Sequence, residues 1–111
     1  MKFKIPQQFN VGGQSIAVSE TAQMDDNTLL GECSIVQGYL LIARTSRGKD
    51  VTAECRLNTF FHELTHLILD TMGEDELSGN EKFVNTFSSF LTEAIVSSKI
   101  ETEDESRGHQ R

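Results

Sequence analysis

Length, composition and charge limit what this chain can be. Its 111 residues fit one compact domain, and 37% hydrophobic with 24% charged residues is typical of a globular protein. The formal net charge of −7 argues against a nucleic-acid partner, because such a partner requires a basic surface. No segment reaches the roughly 18 apolar residues of a membrane span. Residues 1–6 also lack the apolar core of a secretory signal, so we expect a cytoplasmic protein with no membrane partner.

The first half of the chain has the alternating pattern of β-strands. Apolar and polar residues alternate in 5–11 and again in 16–19, with two glycines between the segments. Two further apolar segments, 29–36 and 39–44, flank Gln37-Gly38, a two-residue link typical of a β-hairpin. The pattern therefore predicts a small antiparallel sheet of about four strands.

The second half changes to a helical period. Asp50 is a suitable N-cap and Gly73 a suitable residue to end a helix, so we predict a helix that runs to about Met72. Ser78 and Glu81 have the S-x-x-E spacing of a capping box at the start of a second helix. The apolar stripe predicted for the first helix is Leu57, Phe61, Leu64, Ile68 and Met72, and that for the second is Phe83, Phe87, Phe90, Leu91 and Ala94.

These elements predict an α+β fold in a single domain, residues 1–100. The loop between the helices, 73–77, is short, which favours two antiparallel helices after the sheet. The segment 101–111 is charged and has no apolar residue, so we expect a disordered tail. Cys33 and Cys55 lie in separate elements and are expected to be free thiols.

His62 and His66 form the pattern H-E-x-x-H in the middle of the first predicted helix. Positions i and i+4 lie on one helical face, so the two imidazoles can hold one divalent metal ion, for which zinc is suited. Glu63 is turned about 100° from His62 and is better placed as a general base than as a third ligand. The string also occurs by chance, but its helical context favours a metal site.

A zinc site of this type needs a third protein ligand, and several carboxylates are available. Glu81 would come from the second helix, although as part of the capping box it could instead bind the helix N-terminus. Asp70 continues the histidine line by one helical turn, and it could equally accept a hydrogen bond from a histidine. We favour Glu81 because catalytic sites usually take this ligand from another element. The remaining candidates are Glu74, Glu76 and Cys55.

At this point the chain resembles a known family. His62-Glu63-Leu64-Thr65-His66 and segment 81–88, Glu-Lys-Phe-Val-Asn-Thr-Phe-Ser, are similar to the ImmA/IrrE-type zincin metallopeptidases, whose second helix often reads E-x-x-A-N-x-F-A. The matching positions are Glu81, Asn85 and Phe87. Residues 1–100 resemble small stand-alone metallopeptidases of bacteriophages and prophages still more closely.

The resemblance implies a minimal zincin fold with one Zn²⁺ ion per chain. It implies that His62, His66 and Glu81 are the ligands, that Glu63 is the base, and that the strand from Tyr39 to Ala43 is an edge to which an extended peptide can pair. Larger members of the family supply a Tyr or His to stabilise the oxyanion. This chain offers only Tyr39 and His109 for that role.

Three hypotheses follow from these observations. The first is a zinc-dependent metallopeptidase that hydrolyses a peptide or protein substrate, in the host cytoplasm if the chain is phage-encoded. The alternative is a metal-stabilised, zincin-like binding or regulatory module without turnover. The third reading has no metal, with both histidines as ordinary structural residues. The sequence leaves the substrate and the oligomeric state open.

Overall fold

A computed structural model of the chain describes residues 3–99, and the predicted disordered tail lies outside these residues. The described chain forms a four-stranded sheet, a two-stranded sheet and three helices, which confirms the predicted α+β class. The strands are β1 (Gln8–Val11), β2 (Gln14–Thr21), β3 (Gly31–Ser34), β4 (Tyr39–Ala43), β5 (Thr45–Ser46) and β6 (Lys49–Asp50). The helices are α1 (Ala53–Met72), α2 (Asp75–Ser78) and α3 (Glu81–Ser97).

The four-stranded sheet has the order β1-β2-β4-β3 and is mixed, so the prediction of an antiparallel sheet is wrong. β1 pairs with β2 and β3 pairs with β4 in antiparallel fashion, whereas β2 and β4 run parallel. The loop 22–30 leads from β2 to β3, but β3 does not pair with β2. The strand that pairs with β2 is β4. β4 lies between β2 and β3 in the sheet. Because of this central position, its residues Leu40, Ile42 and Ala43 are buried, each 0% exposed.

The edge strand beside β4 is therefore β3. The expectation that Tyr39 to Ala43 forms an edge is wrong, because β4 has a neighbour on each side. β3 is also shorter than the predicted strand 29–36, and the link to β4 spans 35–38 rather than two residues. A short, partly polar strand is suited to an edge, where its backbone is not covered by another strand.

Helix α1 begins two residues later than predicted. Thr52, not Asp50, is the N-cap, and its side chain accepts a hydrogen bond from the Cys55 amide at 3.1 Å. Asp50 lies in β6 instead. The helix ends at Gly73 as predicted, because this residue adopts the left-handed conformation with φ 79° and its amide bonds back to Asp70.

Helix α3 begins at Glu81, but Ser78 does not cap it. The N-cap is Asn80, whose Oδ1 atom accepts a hydrogen bond from the Phe83 amide at 3.0 Å. Ser78 is the last residue of α2, a four-residue helix in the segment predicted as a loop. Glu81 therefore has no capping-box role, since it is the first residue of the helix rather than the third.

The two long helices are antiparallel, as predicted. Near the start of α1, Asn58 accepts a hydrogen bond from Thr92 near the end of α3, at 3.0 Å. Toward the end of α1, His66 lies beside Glu81 at the start of α3. The hydrophobic core between helices and sheet is formed by Ile16, Leu40, Ile42, Leu57, Phe60, Phe61 and Leu67.

Two predicted helical stripes differ from the observed packing. Ile68 and Met72 are 39% and 65% exposed, because each four-residue step turns about 40° further round α1 and carries them off the sheet-facing side. On α3, Phe87 and Phe90 are exposed, and the buried positions are Val84, Ser88 and Thr92.

Within residues 3–99 no helix is both long and apolar enough to cross a bilayer.

Candidate metal centre

His62 and His66 lie on one face of α1, in the space between helix α3 and edge strand β3. The ring centroids are 5.0 Å apart with a 70° angle between the planes, and both residues are half-buried. α3 packs on one side of this face through Asn58, and β3 approaches the other side at Thr59. The histidines thus lie on α1 between its contacts with α3 and with β3.

Glu81 joins the two histidines from the first turn of α3. Its Oε1 atom is 3.9 Å from Nε2 of His66, and one potential ligand atom from each of His62, His66 and Glu81 lies within 4.8 Å of the other two. No other such group of three occurs in residues 3–99, so Asp70, Glu74, Glu76 and Cys55 are not part of the cluster. The structure therefore brings together the three residues that were favoured from the sequence.

The donor set and its spacing fit a zinc ion. Two imidazole nitrogens and one carboxylate oxygen are common zinc ligands, and in a tetrahedral site such atoms lie about 3.4 Å apart. The observed separations of up to 4.8 Å need a contraction of up to about 1.4 Å to reach that geometry. The Glu81 side chain is 66% exposed and is free to make this adjustment, whereas that of His66 is 18% exposed.

A hydrogen bond to α2 orients the His66 ring. Nδ1 of His66 is 3.0 Å from the Ser78 hydroxyl oxygen, which can accept a hydrogen bond from the ring N–H. With Nδ1 protonated, the Nε2 lone pair is the one directed toward Glu81, as metal binding requires. Sequence reasoning missed this contact, because the S-x-x-E pattern assigned Ser78 to a helix cap.

Glu63 is a buried carboxylate next to the histidine cluster. It is 9% exposed, and burial raises the pKa of its carboxyl above the usual value. The hydrogen bond from the Cys33 thiol and the nearby histidines lower this pKa, but burial has the larger effect. A carboxyl group with raised proton affinity beside two histidines has the properties that a general base needs.

Strand β3 encloses Glu63 because it approaches α1 closely at Gly31. A Cβ atom at this position would lie 2.6 Å from Cγ2 of Thr59 and 3.3 Å from Cγ of Glu63, so only glycine fits without displacement. Two residues on, the Cys33 thiol lies 3.6 Å from the backbone carbonyl oxygen of Glu63 and donates to it. Neither contact was expected from the sequence, since both depend on where β3 lies in the sheet.

The thiols have the state predicted from the sequence, as Cys33 and Cys55 are both free. Burial, followed by the negative charge of Glu63, raises the pKa of the Cys33 thiol far above its usual value. Cys33 therefore remains protonated at neutral pH and acts as a hydrogen-bond donor rather than as a nucleophile.

The outer side of β3 presents backbone groups beside Glu63. The Leu30 carbonyl accepts from the Ala43 amide at 2.9 Å, so the alternation of an antiparallel ladder directs Glu32 and Ser34 toward β4. The N–H and C=O groups of Gly31 and Cys33 then face away from β4. No strand in residues 3–99 pairs with this side of β3.

Tyr39 is not positioned to stabilise an oxyanion. Its hydroxyl donates to Glu32 Oε2 at 2.6 Å. Since Cys33 points toward α1, the neighbouring Glu32 points to the opposite face of the sheet, away from the histidines. The other candidate, His109, lies outside the described residues.

Comparisons with known proteins give no relative for this chain: no protein-family model, curated protein or solved structure matches it.

Proposed function

We propose that this protein is a zinc-dependent metallopeptidase of minimal zincin type. In this proposal His62, His66 and Glu81 hold one zinc ion, and Glu63 is the general base. The observation that carries the proposal is the meeting of two α1 histidines with a carboxylate from α3, directly beside the buried Glu63. The similarity of the two helical segments to the ImmA/IrrE-type and phage enzymes supports the same assignment.

In the proposed mechanism Glu63 moves the proton. A zinc ion held by His62, His66 and Glu81 would supply a Lewis acid for the scissile carbonyl and would lower the pKa of water to roughly 7. The Glu63 carboxylate accepts a proton from the attacking water and delivers it to the amine that leaves. Burial against Gly31 and Cys33 favours this role, because it raises the proton affinity of the carboxyl and restricts its position.

The substrate in this proposal is an extended peptide or protein segment that pairs with β3. The outward backbone groups of Gly31 and Cys33 offer donors and acceptors to such a segment, and both residues lie against Glu63. The docking edge in this proposal is β3 rather than β4, because β4 has a neighbouring strand on each side.

We also infer a cytoplasmic location, because two free thiols are typical of a reducing compartment.

A second candidate function is a metal-holding binding module of phage origin without turnover. The observation in its favour is that Tyr39, the chain's single tyrosine, is bonded to Glu32 away from the histidines. Such a module would retain the zinc ligands and the β3 edge but lack a donor for the oxyanion.

The metal site is tested first by elemental mass spectrometry of protein purified without added zinc. We expect one zinc per chain in the wild type and loss of zinc in both His66→Ala and Glu81→Ala. Asp70→Asn is the matched control and should retain zinc, since Asp70 lies outside the cluster. Zinc retained by Glu81→Ala, or absent from the wild type, would contradict the three-ligand site.

Catalysis is tested with Glu63→Gln in a mass-spectrometric assay of peptide-library cleavage. We expect retained zinc and a fall in turnover of roughly 10²- to 10⁴-fold, because a positioned base is removed without loss of a ligand. Glu32→Gln alters a carboxylate on the other face of the sheet and is the control. Unchanged turnover in Glu63→Gln would exclude the base role, and a zinc-loaded wild type without turnover would favour the binding module.

A further inference from the structure

Helix α3 presents an aromatic stripe on the side that does not pack against α1. Phe83, Phe87 and Phe90 recur at i, i+4 and i+7, and Phe87 and Phe90 are 48% and 66% exposed. The Phe83 and Phe87 rings are stacked with centroids 5.8 Å apart. With Asn80, Lys82 and Thr86, the stripe lines a shallow groove of about 440 Å³.

The stripe is not part of the fold's own core. The side of α3 that packs on α1 carries Val84, Ser88 and Thr92, all of which are buried. Leu91 and Ile95 of α3 also pack against the hydrophobic core, so the inner side of the helix is formed by these five residues and does not include the stripe. Apolar surface concentrated on the outer side of a helix is typical of an interaction surface.

Two opposite charges flank the stripe on one side. Apart from Glu81, the charged residues of α3 are Lys82 and Glu93. They are eleven positions apart, about three helical turns, so they lie on the same side of the helix but too far apart to pair with each other. Both are exposed, and neither forms an ion pair within the described part of the chain.

We propose that two copies of this chain associate through the aromatic stripe, with their α3 helices packed antiparallel about a two-fold axis. When two antiparallel helices are related by a two-fold axis, the residues that flank the contact on one side of a helix face the corresponding residues of the partner helix. Placing Lys82 opposite the partner's Glu93 puts the axis midway between positions 87 and 88, and the symmetry makes the same pair twice. The charges alone therefore specify one register.

The aromatic residues select nearly the same register. With the axis beside position 87, Phe87 meets its own copy, and Phe83 lies within two residues of the partner's Phe90, which is about 3 Å along the helix. Rings at this spacing can pack edge-to-face or in offset stacks. Charge pairing and aromatic packing thus agree on one arrangement without a change in the fold.

The overall charge also favours this surface for self-association. Each copy carries a formal charge of −7, so two copies repel over most of their surface. The stripe and its flank are neutral, since Lys82 and Glu93 cancel. The inference is independent of the proposed peptidase function, because the stripe lies on the side of α3 away from the histidines.

The association is tested by sedimentation equilibrium of the full chain over roughly 10 to 500 µM, a range suited to a small interface. We expect a reversible dimer in the wild type and a monomer in Phe87→Glu, which places like charges at the axis. Val36→Glu is the matched control, because Val36 is 88% exposed in the β3–β4 link, and it should remain dimeric. Circular dichroism of each variant verifies that the monomer is folded.

A charge exchange tests the register. Lys82→Glu and Glu93→Lys should each raise the dissociation constant by roughly tenfold, because each replaces two attractive contacts by two repulsive ones. The double variant restores both pairs with reversed signs and should bind within a few-fold of the wild type. A wild type that stays monomeric, a dimer that survives Phe87→Glu, or a double variant no better than the single ones would overturn the proposal.

Discussion

At the residue scale, His66 is the point where three helices meet. The residue belongs to α1, its Nδ1 atom contacts Ser78 of α2, and its Nε2 atom lies near Glu81 of α3. One imidazole can serve both neighbours because its two nitrogens have different roles, one as a donor and the other as an acceptor or metal ligand. Ser78 is thus a positioning residue for the proposed centre.

The Ser78 contact predicts a specific loss of metal affinity. We expect Ser78→Ala to weaken zinc binding by roughly tenfold, because removal of a partner that orients a ligating histidine usually has an effect of this size. Competition with a chromophoric chelator measures the affinity. Ser89→Ala, an exposed serine on α3, is the control. Equal affinities for both variants would show that Ser78 does not orient His66.

At the element scale, the contact between α1 and β3 decides where the candidate base lies. β3 is held by β4 on one side, and its residues Gly31 and Cys33 approach Thr59 and Glu63 of α1. A bulkier residue at position 31 would separate the strand from the helix and open Glu63 to water. The burial that raises the pKa of Glu63 is therefore a property of this pair of elements.

The close approach predicts that Gly31→Ala is destabilising. The added Cβ would overlap Cγ2 of Thr59 and crowd the Leu41 carbonyl oxygen, so we expect a loss of about 1–3 kcal/mol in the free energy of unfolding, measured by urea denaturation. Gly79→Ala is the matched control, because its Cβ would meet only ordinary contacts at 3.5 Å and beyond.

Thr59→Ser offers a second test of the same contact. It removes Cγ2 while keeping the hydroxyl that bonds to the Cys55 carbonyl, so combination with Gly31→Ala should recover part of the lost stability. If Gly31→Ala were as stable as the wild type, the close approach would not be required.

At the scale of the whole molecule, the candidate centre joins the two long helices. Between them the buried α3 residues are small or polar, namely Val84, Ser88 and Thr92, so this contact contributes less apolar burial than the contact of α1 with the sheet. A metal ion bound by α1 and α3 together would add a strong link at the end where the helices are otherwise joined by α2.

Metal removal should therefore lower thermal stability. A ligand that binds only the folded state stabilises it by about 2.7 kcal/mol at one hundred times its dissociation constant, so we expect a chelator to lower Tm by about 10 °C. Differential scanning calorimetry with and without zinc measures the shift. His66→Ala should show no such response. Equal Tm values for the wild type in both conditions would argue against zinc binding in the folded state.

Sequence alone determined the features that depend on neighbours along the chain. The change from a two-residue to a 3.6-residue period predicted strands before helices, and Gly73 marked the end of α1 because few other residues adopt a left-handed conformation. The H-E-x-x-H spacing likewise put His62 and His66 on one face, since helical geometry alone requires it.

The tertiary structure alone decided which distant residues meet. The parallel pairing of β2 with β4 made β3 the edge strand, and this followed from burial of β4 rather than from any local pattern. Several residues met the local rules for one role, and packing selected among them: Asn80 rather than Ser78 as the cap, and Glu81 rather than Asp70 beside the histidines. A local pattern describes what a residue can do, whereas the position of α3 against α1 fixes which of these contacts is geometrically possible.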